Sequence, residues 1–386
     1  TSHRIPKQNS KGFRIIHEFN DIDKHTNALK TLRKHCIDNP LCTKENRKIS
    51  LVSSVHGYPY GNKNMIKLSR LFLSRAQTKD KFIISSFDLS NFYHFITPDK
   101  INNSIPDHIT EYLKLAFVNI GNGVEVLAQG SPLSQDISNI CLLPIDLKCL
   151  SVIKSFNTWT KKCKTHKIDY NSISLPTDYS IMDRQDIPMT KRSNSSFINS
   201  LAEDQNLAND FNKIYEDNPE ITECVTASYM RYVDNIFISV SANSLVSNKI
   251  LDLLSKALTK RIKGLFIQGT YKINNLKNKT ATSVSNRKIP MLGLNLSDRV
   301  KCSRHYLNGI RAGLWGFVSG KNSDIPQSLA SSAIYALYVD PKSHNRLRKC
   351  TNEIRKMDLR DSPNARTLLA FIEKENGITG EIPMLF

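Results

Sequence analysis

Two carboxylates stand where apolar runs would otherwise continue. Asp88 follows the run FIISSF at 82–87, and Asp234 interrupts SYMRYVDNIFISV at 228–240. A carboxylate inside a strand-like apolar run is costly to bury unless something binds it. A hard cation meets that cost, because Mg²⁺ takes oxygen ligands, usually one or two carboxylates plus substrate phosphates. Two such ions, about 3.5–4 Å apart, serve both the attacking and the leaving oxygen of a phosphoryl transfer. Either aspartate alone reads equally well as the cap of a β-turn. The residue after Asp234 is an amide, Asn235. Its oxygen can ligate Mg²⁺, but without adding negative charge.

Phosphoryl chemistry fits the overall charge. The chain of 386 residues carries a net charge of +19, from 54 Lys and Arg against 35 Asp and Glu. An excess of that size favours a polyanionic partner. Nucleic acid ranks ahead of an acidic membrane surface, since no basic amphipathic helix with an aromatic face is present. The charge gathers at both ends: residues 1–80 hold 16 Lys/Arg and 6 Asp/Glu, and residues 301–386 hold 13 and 8. No apolar run approaches the roughly 18 residues of a membrane helix, and the N-terminal stretch has no signal-peptide core. The chain starts at Thr1, so an initiator Met has been removed or upstream residues are missing. The eight cysteines form no C-x-x-C pair and no zinc-like cluster. They read as reduced thiols of a cytoplasmic protein.

The elements that must position the two aspartates can be read from pattern. Residues 1–20 give two strand-like pieces around a turn at 9–12, and 22–37 a helix. The strand FIISSF leads into Asp88, and 107–118 reads as a helix. A turn at Gly130-Ser131-Pro132 opens a helix with apolar residues at 133, 137, 140, 147 and 150, in which Pro144 predicts a kink. The stretch from about 156 to 222 is rich in Ser, Asn, Asp and Lys and reads as a small subdomain or a mobile insertion. Two strands meet at Asp234. Period-two alternation along them predicts that the side chains of 234 and 235 point to opposite sides, with Asn235 at the edge of the site. A helix over 244–262, a strand over 266–273, a strand or tight hairpin over 288–296 and four helices (303–317, 325–338, 344–357 and 362–375) complete the reading.

Six sequence features in order resemble the reverse transcriptase family. FDLSNFYHF at 87–95 resembles the first palm motif, an Asp with an aromatic five residues later. AQGSPLSQDISN at 128–139 resembles the Gln-Gly-x-Pro motif and its helix. RYVDNIFI at 231–238 resembles the Tyr-x-Asp-Asp box. LKNKT at 276–280 and PMLGL at 290–294 resemble the next two elements, and SSVHGYPYGNKN at 53–64 is similar to the segment before the first palm motif in bacterial members. The resemblance implies an α+β right-hand polymerase fold. It would comprise fingers over 1–80 with 98–128 returning to them, a palm on an antiparallel sheet over 81–300 containing the 156–222 insertion, and a helical thumb over 301–386.

The resemblance also implies roles. Asp88 and Asp234 would hold two Mg²⁺ ions, with Mn²⁺ as a substitute and the backbone of Leu89 assisting. Tyr93 would lie against the sugar and exclude a 2′-hydroxyl; a packed core aromatic is the lesser reading of this residue. Gln129 and Gly130 would contact the incoming dNTP, and Lys7 and Arg14, seven apart across the first turn, would neutralise its triphosphate. Lys279 would protonate the leaving pyrophosphate. The implied partners are an RNA template, in some members a noncoding RNA, the DNA product, and a further copy or a second reverse transcriptase subunit. The family's box ends in two acids and here reads YVDN, which leaves three functions open. These are RNA-templated DNA synthesis, template-independent nucleotide addition, and a catalytically degenerate RNA-binding or assembly subunit.

Past the thumb-like helices there is no room for a ribonuclease H domain and no Cys/His endonuclease. The stretches NMIKL (64–68) and FVSG (317–320) stand where retron enzymes carry Asn-Ala-x-x-His and Val-Thr-Gly. The resemblance is therefore strongest to the bacterial defence-associated, abortive-infection group, whose members act against phage.

Overall fold

A computed structural model describes residues 2–6, 13–17, 21–38, 54–55, 61–101, 107–162, 216–217, 224–282, 289–291, 294–296, 300–322, 324–340 and 344–376. The chain divides into two units, Thr1–Ser285 and Asn286–Phe386. Both mix helices with sheet, so the fold is α+β.

The first unit is organised by a five-stranded sheet. Its strands are β3 (Ser54–Val55), β4 (Lys81–Ser90), β7 (Val225–Tyr232), β8 (Asn235–Ala242) and β9 (Lys272–Thr282), in the order β3-β7-β8-β4-β9. The pairs β7–β8, β8–β4 and β4–β9 are antiparallel. The antiparallel sheet expected from sequence needs one amendment: the two-residue β3 joins β7 in parallel. Residues of β8 are buried on both faces, which explains an apolar run with little alternation. Ile236, Ile238 and Val240 join the main apolar cluster with α4 (Ser134–Lys162) and α5 (Asn248–Gln268). On the opposite face Phe237 meets Phe72 of α2 (Gly61–Ala76) edge-on at 6.5 Å, and the Ser241 hydroxyl donates to the Ala76 carbonyl.

Smaller elements frame the sheet. Strands β1 (Ser2–Pro6) and β2 (Phe13–His17) form an antiparallel hairpin, followed by α1 (Ile22–Asp38). A short α3 (Asp107–Leu113) precedes the hairpin β5 (Phe117–Asn119) and β6 (Glu125–Leu127). The helix expected over 107–118 therefore stops early. Phe117 is buried and leaves helical backbone to pair with Leu127. Helix α4 passes through Pro144 and continues to Lys162, with Phe156 buried and the Thr160 hydroxyl on the Val225 carbonyl at 3.1 Å. Apart from 216–217, the 163–222 part of the expected insertion lies outside the described residues.

The strand expected over 266–273 is mostly not one. Helix α5 runs on to Gln268, because Leu265 and Phe266 are buried on its core face. The turn Gly269–Thr270 then releases the chain into β9 at Lys272.

In the second unit β10 (Ile289–Met291), β11 (Leu294–Leu296) and β12 (Val300–Cys302) form an antiparallel sheet. Four helices follow: α6 (Arg304–Val318), α7 (Gln327–Val339), α8 (His344–Ile354) and α9 (Pro363–Asn376). The Ser303 hydroxyl caps α6 by accepting from the Tyr306 N–H at 3.1 Å, satisfying one of the orphan donors of its first turn. Leu307, Ile310, Leu314 and Phe317 bury one stripe of α6, at helical spacing.

Candidate active site

The two aspartates come together through strand order. Because β8 lies between β7 and β4, the turn joining β7 to β8 sits beside the C-terminal end of β4. Asp88 pairs in register with Asn235, and the Leu89 N–H donates to the Asp234 carbonyl oxygen at 3.0 Å. Asp88 is not the last residue of its strand, since β4 continues to Ser90. A β-bulge against β9, between Ser86 and Asp88, falls at this point. Asp88 is 5% exposed, while Asp234 and Asn235 are half-buried.

The turn itself is Val233–Asp234, a two-residue hairpin loop. Val233 has φ +53°, in the left-handed region. Glycine is the usual choice there, and a β-branched residue is an outlier worth on the order of 1–3 kcal/mol of strain. Strain of that size persists only where surrounding groups hold the backbone.

The expectation that residues 234 and 235 point apart is corrected here. The Asn235 amide nitrogen donates to the Asp234 carboxylate at 2.8 Å. Alternation holds along a strand, but Asp234 belongs to the turn, so the two side chains lean together. The amide is thus a neutral partner for a carboxylate that has no counter-charge next to it in sequence.

Tyr93 follows from the end of β4. Asn91, with φ +48°, reverses the chain into a 3₁₀ turn over Phe92–Phe95 that buries Phe92 and leaves Tyr93 half-buried. Burial pushes the Tyr93 phenol well above its usual range, and the Asp234 carboxylate adds to that shift. Tyr232 moves in the same direction for the same two reasons. Both phenols thus feel the Asp234 charge, which holds their protons more tightly.

Gln129 and Gly130 lie in the turn that feeds α4. Gly130 is exposed with φ +120°, a conformation that excludes a side chain without strain. Hydrogen bonds fix both sides of the turn. The Ala128 N–H donates to the Ala116 carbonyl at 2.8 Å, and the Ser134 hydroxyl donates to the Ala128 carbonyl at 2.5 Å. The Ser131 hydroxyl meets the His25 ring of α1 at 3.1 Å. Burial lowers the pKa of His25, with Asp21 opposing and Lys24 assisting.

The remaining sequence-derived residues are placed less fully. The backbone of Lys279 pairs with Ser86, two residues before Asp88 on β4. Arg14 is in β2, opposite Ile5. Lys7 lies outside the described residues, as do the side chains of Arg14 and Lys279.

Sequence reasoning missed one group. Arg231 is fully buried, and its Nε and Nη2 grip the Asp146 carboxylate of α4 at 2.7–3.1 Å. Nη1 donates to the Asn139 side-chain oxygen at 3.0 Å and to the Val233 carbonyl at 2.7 Å. The Tyr229 hydroxyl donates to Asp146 at 2.6 Å. Burial pushes the Asp146 carboxyl up, and Arg231 and Tyr229 pull it back. The signal was present: Asp146 is the lone acid in ICLLPIDLKCL and Arg231 the lone base in SYMRYV. Opposite charges isolated in two apolar elements are a candidate buried pair.

Asp88, Asp234 and the Asn235 amide oxygen suit a hard divalent cation that completes its shell with water and substrate phosphate. Among the described residues, no group of three or more His, Cys, Asp or Glu is placed to hold a metal alone. Among them too, no helix is long and apolar enough to cross a membrane.

No protein-family model matches the chain, and no curated protein matches it. Solved structures of telomerase are similar. Apo telomerase from Candida tropicalis is 12% identical over 91% of this chain and 58% of its own, with a TM-score of 0.43. Telomerase from Candida albicans, in complex with a TWJ fragment of telomeric RNA, is 12% identical over 96% and 58%, with a TM-score of 0.37. A Candida tropicalis telomerase truncated from its C-terminal domain is 13% identical over 78% and 54%, with a TM-score of 0.37. The chain spans little more than half the length of these proteins. At such scores the likeness carries no weight of its own.

Proposed function

We propose that this chain is a reverse-transcriptase-type nucleotidyltransferase that adds dNTPs to a nucleic-acid end. The observation that carries the proposal is the apposition of Asp88 with the Asp234–Asn235 turn at one end of a five-stranded sheet. The order of the surrounding motifs supports it. In the reaction a 3′-hydroxyl gives up its proton to solvent and attacks the α-phosphorus of the dNTP; the new P–O bond forms as the bond from the α-phosphorus to the bridging oxygen breaks, and pyrophosphate leaves. Bound Mg²⁺ would supply the positive charge that activates the hydroxyl and stabilises the leaving group. Asp88 and Asp234 would hold it, with the Leu89 backbone beside them. Tyr93 would lie against the sugar, Gln129 and Gly130 against the base or ribose, and Lys7 and Arg14 against the triphosphate. Lys279 would give a proton to pyrophosphate. Catalysis of this kind is mostly positioning and charge stabilisation.

An RNA template and DNA product are the partners this reading implies. The second unit supports a polyanion. Trp315 is 44% exposed on α6, with the Lys349 ammonium 5.7 Å from its ring. Both line a cavity of about 400 Å³ with Arg311 and Asn308. An exposed aromatic between cations suits stacking of an unpaired base. Fingers, palm and thumb would then be 1–80, 81–300 and 301–386, and the motif departures favour a defence-associated bacterial role.

One observation favours a second reading. The Asn235 amide nitrogen donates to the Asp234 carboxylate at 2.8 Å, a neutral contact that a degenerate palm serving RNA binding or assembly would also make. Purified protein with Mg²⁺ and labelled dNTPs separates the readings. Product that requires added RNA and copies its sequence supports templated synthesis. Product that survives nuclease pretreatment and copies nothing supports template-independent addition. No product under either condition supports the degenerate subunit.

A further inference from the structure

The Arg231–Asp146 pair does more than a buried ion pair needs. The fork of Nε and Nη2 already satisfies the carboxylate. The third nitrogen, Nη1, reaches past it to the carbonyl of Val233, the strained residue of the turn that carries Asp234. The same nitrogen is anchored to Asn139, on the helix that begins just after the Gln129–Gly130 turn. Helix α4 thus ties together the two turns on which the proposed site depends. The turn's second tether is the Leu89 N–H on the Asp234 carbonyl. Both carbonyls of a two-residue loop are therefore held, from different elements.

We infer that Arg231, braced by Asp146 and Asn139, is a positioning residue that clamps the Val233–Asp234 turn and so sets where the Asp234 carboxylate points. The inference rests on the reading of Asp234 as a metal ligand, but the clamp can be tested without it. Arg231→Lys keeps a charge beside Asp146. A compact ammonium lacks the planar fork and cannot also hold the Val233 carbonyl. Val233→Gly removes the steric objection to positive φ, so the turn no longer needs the clamp.

Amide hydrogen exchange at Leu89 reports the turn directly, with Ile84 in the interior of β4 as the control. In Arg231→Lys, Leu89 should exchange about tenfold faster while Ile84 is unchanged, as a local opening requires. Adding Val233→Gly to Arg231→Lys should return Leu89 to within about threefold of the parent. Nucleotide addition should lose kcat with little change in KM for dNTP, and recover in the double variant. If Arg231→Lys does not fold, Asn139→Ala, which leaves the ion pair intact, decides by the same exchange ratio. Leu89 protection equal to the parent overturns the inference. So does a joint rise at Leu89 and Ile84, or a failure of Val233→Gly to restore protection. A parent protein that adds no nucleotide would refute the proposed function, while the exchange result would still decide the clamp.

Discussion

Replacing Asn235 by Asp puts a second carboxylate where an amide nitrogen now donates to Asp234 at 2.8 Å. Two effects oppose folding in the absence of metal. The lost hydrogen bond to a charged group is worth about 1.5–3 kcal/mol. Repulsion between two unit charges about 4 Å apart is roughly 1 kcal/mol in water and roughly 4 kcal/mol at an effective dielectric constant near 20. Both side chains are half-buried and can swing apart, so the repulsion falls between those limits. Together the effects amount to about 2.5–7 kcal/mol, or a fall in Tm of roughly 5–14 °C at about 2 °C per kcal/mol. A divalent cation reverses the balance, because the added charge now binds it. At a hundred times its Kd the cation returns about 2.7 kcal/mol. Calorimetric melting in EDTA and across a Mg²⁺ titration reads both halves. The variant should melt well below the parent in EDTA and gain more than the parent does from Mg²⁺, narrowing the gap, while Asp234→Asn should lose most of any Mg²⁺ response. Equal melting in EDTA, or equal Mg²⁺ shifts for parent and Asn235→Asp, would refute a cation shared between residues 234 and 235.

Further outcomes follow from the same geometry. Tyr93→Val should raise rNTP use relative to dNTP use, measured as the ratio of kcat/KM values; an unchanged ratio would leave Tyr93 a packed aromatic. His25 has a folded pKa below its unfolded value, so its neutral form is favoured by folding. Its stability contribution is complete above about pH 6.5 and declines as pH falls below that value. Denaturant melts of the parent and His25→Gln should therefore converge on acidification from pH 7.5 to 5.5; parallel curves would count against a buried neutral ring. Nucleic-acid affinity should fall linearly on a log–log salt plot, with a slope of about −0.7 per neutralised phosphate for a single strand. Trp315→Ala should weaken binding with little change in that slope.

The residues of the candidate site stand out in the sequence more clearly than the connections around them. Asp88, Asp234 and the Gln129–Gly130 turn are legible because each breaks a local rule: a charge in an apolar run, or a glycine opening a helix. The last four helices are legible because their apolar stripes keep period 3.6. The end of α5 was not, since FIQGTYKI is as apolar and β-branched as a strand and only the burial of Leu265 and Phe266 decides for helix. Phe117 leaves helix for the opposite reason, a cross-strand partner ten residues on. The lean of Asn235 toward Asp234 depends on where the turn begins, and a one-residue difference reverses the face. The Arg231 clamp depends on a helix residue 85 positions away in sequence, beyond any local pattern.

The most direct measurement is dNTP incorporation by the parent, Asp88→Asn and Asp234→Asn at saturating Mg²⁺, with melting curves confirming that each is folded. The expected result is incorporation by the parent and background levels from both variants, since each removes one of the two carboxylates proposed to hold the cation. Incorporation by either folded variant at the parent's rate would contradict it.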